Sequence, residues 1–197
     1  MPDFNKSYNQ KIFCEFLSKF LPDDCKFVYK ELKIESGFNY FINAKLLASV
    51  DTLNNLKIIE IEHSVSEKKR ITIARDLFRF LSSFAYPNAL VITHSKQEQN
   101  YRFSLIMSSL GWLTEKTVKR EFSNPKRLSF LLGPDARIHT PTRQLIKMGK
   151  VKDFEDLNER FNIEVVNDEF FEDYKNLYLY LKKYLDEDRI FSAFAKK

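Results

Sequence analysis

Residues 56 to 94 restrict the fold more than any other part of the chain. LKIIEIEH comes first, after the turn-forming pair Asn54-Asn55, and NALVITH closes the segment. Side chains alternate across a strand, so Ile59 and Ile61 share one face of the first run while Ile58, Glu60 and Glu62 share the other. Between the two runs, Ser66 is placed as an N-cap for a helix through about residue 84. Ile71, Ala74, Leu77, Phe78, Leu81 and Phe84 fall on its inner side, and Lys68, Arg75 and Arg79 form an outer basic stripe. Pro87-Asn88 then leads into an uninterrupted apolar run, the pattern of a strand buried on both faces in a parallel pair. Strand, helix, strand predicts a crossover unit, and with it an α/β protein.

The flanking sequence extends this plan. Apolar residues at 12, 13, 16, 17, 20 and 21 have helical spacing, and Pro22-Asp23-Asp24 ends the helix. Strands are expected over 26–34, 38–50, 101–107 and 117–122, the last carrying Lys119 and Arg120. Asn124-Pro125 and Gly133-Pro134 bracket a short apolar segment beginning at Lys126 and Arg127. Thr140-Pro141 has the cap-then-proline form of a helix start, running to 148. Further helices are expected over 153–161 and from Asn167, where Phe170, Tyr174, Leu177, Leu181 and Tyr184 recur every three or four residues. The alternation of strands and helices gives way to helices near residue 140, which divides the chain into an α/β domain, 1–135, and a helical extension, 136–197.

Charge is uneven along the 197 residues. Residues 63–150 hold 16 basic and 6 acidic side chains, whereas 1–62 hold 8 and 9, and 151–197 hold 8 and 12. A basic middle segment suits a polyphosphate partner, and a lysine-rich solvated surface reads the same way. The two cysteines, Cys14 and Cys25, have no C-x-x-C spacing, the N-terminus has no basic-then-apolar leader, and no apolar run reaches the ~18 residues that span a bilayer. A cytoplasmic protein without membrane insertion is expected.

Glu60 and Glu62 are the leading candidates for chemistry. Two carboxylates projecting from one strand face, followed by a cationic helix, suit Mg²⁺ held beside a scissile phosphate: the oxygen ligands match the hard cation, and the metal neutralises developing charge and activates water. Nucleases of the PD-(D/E)xK type place an acid near one strand end and an acid-x-lysine on the next strand; here Asp51 precedes Glu60-Ile61-Glu62, with glutamate in the lysine's place. His63 is a further candidate ligand or proton acceptor, and His94 ends the neighbouring strand. The alternative reading of E-x-E is the polar face of a sheet, and that of a histidine at a strand end is structural. Lys68, Arg75, Arg79, Lys119, Arg120, Lys126 and Arg127 are the candidate phosphate contacts. With 4 glycines and no G-x-x-x-x-G-K-[ST], G-x-G-x-x-G or G-x-S-x-G, nucleotide-cradling and serine-hydrolase chemistries are excluded.

The succession IIEIEHS, RDLFRFLSSF, NALVITH, NYRFSLI, NPKRLSFLLG, HTPTRQLI, DFEDLNERFNIEVV and NDEFFEDYKNLYLYL resembles the N-terminal region of Type IIG restriction-modification proteins, over roughly residues 56 to 186. In those proteins nuclease, adenine-specific DNA methyltransferase and target recognition share one chain. The resemblance implies a restriction-endonuclease-like mixed sheet flanked by helices, with a helical extension leading towards a methyltransferase. It implies double-stranded DNA as partner and Mg²⁺ as cofactor. Asp51, Glu60 and Glu62 would be ligands and His63, or a nearby lysine, an assistant. Neither a glycine-rich cofactor loop nor N-P-P-Y occurs, so an N-terminal portion or a short relative that methylates nothing is expected. A non-catalytic DNA-binding or domain-docking module is the alternative.

Overall fold

The computed structural model describes residues 3–65, 70–108, 110–112, 120–122 and 126–185; for 70, 110–112, 120–122, 163–170 and 183–185 it describes the backbone alone. Helix α1 (Gln10–Phe20) opens on Asn9, whose side-chain oxygen accepts the Ile12 N–H. It closes at Leu21, which is extended because the following proline disfavours helical backbone. Strands β1 (Lys26–Glu31), β2 (Phe41–Val50) and β3 (Leu56–His63) follow, then α2 (Arg70–Ser83), β4 (Asn88–His94) and β5 (Tyr101–Met107). Asn54 and Asn55 both take left-handed backbone in the turn between β2 and β3, which asparagine tolerates better than most residues. Strands β6 (Leu110–Trp112) and β7 (Arg120–Phe122) pair with each other, and β8 (Lys126–Leu132) returns to the main sheet.

That sheet has the order β1-β2-β3-β4-β5-β8. Only β3 and β4 run parallel, joined by α2 as the crossover; the other neighbours are antiparallel. Both faces are covered. On one, α1 and the later helical segments bury Phe13, Phe16, Leu17 and Phe20 against Ile58, Ile92 and Phe103. On the other, α2 buries Ile73, Leu77, Phe80 and Leu81 against Ile59, Ile61 and Val91. The inner side of α2 is thus rotated from the expected one: Ile71 is exposed, and Phe80 and Ile73 lie inside. The helix contributes whichever stripe fits the curved sheet, and several apolar stripes were present to choose from. Ser66 lies outside the described residues.

Beyond β8, α3 (His139–Pro141) runs into a π-helical turn (Thr142–Lys147), followed by α4 (Phe154–Phe161). These pack on the first face: Phe161 meets the rings of Phe103 and Phe130 at 5.2 Å, and the Val151 N–H donates to the Phe20 carbonyl. The compact unit therefore runs to Phe161 and takes in residues 136–161, and a second unit covers residues 162–197. The last helix, α5 (Ile163–Leu185), begins four residues before the expected Asn167. Among the described residues no helix is long and apolar enough to cross a membrane.

Candidate active site

Glu60 and Glu62 stand on the face covered by α1, next to Ile58. The parallel register sets Glu60 beside Ile92 and Glu62 beside His94, so His94 comes to the same face at the carboxyl end of the parallel pair. Its Nε2 lies 3.0 Å from Glu60 Oε1. A carboxylate only accepts, so this contact places the imidazole proton on Nε2. The second oxygen, Oε2, accepts from Gln10 Nε2 at 2.7 Å. Gln10 is the first residue of α1, so the helix that buries the aromatic core also delivers an amide to the acid. Glu60 is 12% exposed.

Tyr8 closes this group from above. Its ring stacks on His94 with centroids 4.5 Å apart, and its hydroxyl is buried beside Glu60 without a well-directed hydrogen bond. Burial, and then the charge of Glu60, pushes that phenol far above its ordinary pKa. Glu62 has a different partner, with Lys96 Nζ 3.3 Å from its Oε1. This is an ionic contact rather than a directed hydrogen bond, since the oxygen has no hydrogen-bonding partner of good geometry.

Across the sheet, β2 sets Lys45 opposite Glu60 and Asn43 opposite Glu62. Directly opposed residues of an antiparallel pair share a face, with Cβ atoms about 5 Å apart. A β-bulge between Leu46 and Ala48 produces this arrangement. Without it the hairpin register that starts at Val50–Leu56 would put Lys45 opposite Ile61, on the α2 face.

The other expected site residues lie elsewhere. Asp51 sits in the turn beyond β2, six residues along the strand from Lys45, which at the rise of a strand is about 20 Å from the Glu60 level. It pairs with Lys26 Nζ at 2.9 Å, and that hydrogen bond holds its carboxyl below the ordinary range. It does not join Glu60. His63 is buried and stands opposite Phe41 on the α2 face, separated from both glutamates by the sheet. Strand alternation already implied that, and His94 takes the place assigned to it.

Among the candidate cations, Lys68 and Lys119 lie outside the described residues, and of Arg120 only the backbone, in β7, is described. Arg75 and Arg79 are on the exposed side of α2, where Arg79 reaches Asp76 at 3.5 Å and covers the Phe38 ring. They are across the sheet from Glu60. Lys126 is exposed at the start of β8, and Arg127 donates from Nε and Nη2 to the buried Ser104 Oγ, both at 3.2 Å. Tyr8, Gln10, Lys45 and Lys96 carry no sequence signal of their own; the fold gathers them.

Neither the known family models, nor the curated proteins, nor the solved structures include a match to this chain.

Proposed function

We propose that the chain is a restriction-endonuclease-like domain of a restriction-modification system, whose chemistry is Mg²⁺-dependent hydrolysis of a DNA phosphodiester at Glu60 and Glu62. The observation that carries this reading is the position of Lys45 directly opposite Glu60. It supplies on the neighbouring strand the lysine that the E-x-E sequence lacks, so that two acids and a cation share one sheet face. Mg²⁺ is commonly held by one or two carboxylates and completes its shell with water and substrate phosphates. Glu60 and Glu62 meet that minimum without Asp51, although among the described residues no three acidic, histidine or cysteine side chains converge as ligands. Bound there, the metal would lower the pKa of water and stabilise charge on the phosphate. Glu60 would first have to exchange its contacts with Gln10 and His94.

Nicking of supercoiled plasmid in Mg²⁺ tests this. Activity is expected from the native chain and from Asp51→Ala, and a loss of at least about 100-fold from the near-isosteric Glu60→Gln or from Lys45→Ala, the scale of losing a group that acts in the transition state. Equal nicking by native protein and Glu60→Gln would end this assignment.

A second reading, a DNA-contacting or docking module that does not cut, is favoured by the saturation of both Glu60 oxygens by protein partners. It predicts no Mg²⁺-dependent nicking, together with salt-sensitive DNA binding that Arg75→Ala or Arg79→Ala weakens on every sequence alike.

A further inference from the structure

The sheet separates the acids from the basic stripe of α2, so a DNA strand at Glu60 cannot be held by Arg75 or Arg79 at the same time. Contacts to it have to come from the carboxyl end of β4 and the first face. There a cleft of about 490 Å³ opens beside His94, lined by Ser7, Tyr8, Lys96, Gln97 and Gln99 among others. It lies where ligands of open α/β sheets characteristically bind, beyond the carboxyl ends of parallel strands. Its volume is that of a small-molecule site, room for a nucleotide and not for a duplex.

The loop forming its wall, residues 95–100, is S-K-Q-E-Q-N and has no apolar side chain. Its two ends are fixed. Ser95 Oγ accepts the Gln97 N–H at 3.2 Å, and Asn100 Oδ1 accepts the Asp135 N–H at 3.2 Å. Asn100 also lies so close to Gly133 that a Cβ there would come within 2.4 Å of its Oδ1, at a glycine with left-handed φ of 126°. Between these anchors Lys96, Gln97 and Gln99 are exposed. Lys96, 81% exposed, already reaches Glu62 from the cleft wall.

We infer that this loop is the DNA-strand contact of the site: the cleft takes one nucleotide next to the scissile phosphate, Lys96 meets its phosphate, and the Gln97 and Gln99 amides meet its base edge. The inference rests on the endonuclease reading. An ammonium on a flexible stem reaches a backbone phosphate as a point charge, and amide side chains both donate and accept, as base edges require.

Binding of a fluorescein-labelled 30-base-pair duplex without divalent metal, followed over a salt series, tests it. Lys96→Ala is expected to weaken binding several-fold and to lower the slope of log affinity against log salt by about one, the signature of one lost phosphate contact. The double variant Gln97→Ala/Gln99→Ala is expected to keep the salt slope and change the preference among duplexes that differ in sequence. All three side chains are exposed, so folding is preserved, which circular dichroism verifies. If the native chain binds and these variants bind as it does, with the same slope and the same preferences, the loop assignment is overturned and the endonuclease reading stands. If the native chain binds no DNA even at low salt, both fall.

Discussion

Glu60 is the centre of the proposed metal site, and each of its oxygens already has a protein partner. The Gln10 amide competes for the lone pairs a cation needs, so Gln10→Ala is expected to raise Mn²⁺ affinity by roughly 10-fold, equivalent to about 1.4 kcal/mol, close to the lower end of the net worth of a hydrogen bond to a charged group. Titration calorimetry measures it, and unchanged affinity would show that Gln10 does not restrain the site. Arg160 shows the opposite use of charge, where pairing serves the fold. It is buried, grips Asp156 with Nε at 2.7 Å and Nη2 at 2.8 Å, and donates to the Gly149 and Lys150 carbonyls. Burial alone would raise the Asp156 carboxyl, but hydrogen bonds from Arg160 and from the Lys152 N–H outweigh it and hold the pKa below the ordinary range. A depressed folded-state pKa contributes stability that is complete above the unfolded value of about 3.9 and is lost as pH falls through the folded one. Asp156→Asn is therefore expected to be less stable than the native protein at pH 7, with the gap narrowing below about pH 4. Urea midpoints at the two pH values check the sign.

At the level of elements, strand β5 is the beam on which the first face is built. Phe103 is fully buried and meets Phe13 at 5.1 Å and Phe161 at 5.2 Å, joining α1 to α4 on that face. Phe103→Ala is expected to cost about 3–5 kcal/mol, since the rings around it belong to separate elements and close poorly over a cavity. Chemical denaturation measures this, and a loss below about 1 kcal/mol would mean that the aromatic cluster repacks. Strand β2 has the complementary role of deciding register. Its bulge moves Lys45 from the α2 face to the Glu60 face, and so determines whether acids and lysine are neighbours at all. Most strands and helices were legible because periods of 2 and 3.6 are local properties; β6 and β8 were not read as strands, and Thr140 lies inside α3, where Ile138 and not Thr140 stands at the cap position. The bulge was not legible, because one extra residue in a strand of ten leaves no mark on composition.

For the molecule as a whole, residues 1–161 form a compact unit with a core on each side of the sheet, and α3 to α4 belong to it. A fragment ending at Phe161 is expected to fold with a cooperative thermal transition close to that of the full chain, whereas one ending at 135 would strip Leu145, Leu157 and Phe161 from the first core and unfold. Calorimetry of the two fragments distinguishes the boundaries. The sequence by itself determined the crossover unit, the shared face of Glu60 and Glu62, and the first helix stopped at Pro22. Each follows from neighbouring residues and backbone geometry. Only the tertiary structure decided that α1 covers the acid face, that Gln10 reaches Glu60 from fifty residues away, that His94 joins it, and that Asp51 and the arginines of α2 do not. Those outcomes depend on strand register and on the side of the sheet each helix packs against, which are set by the burial of the whole core and by no local pattern.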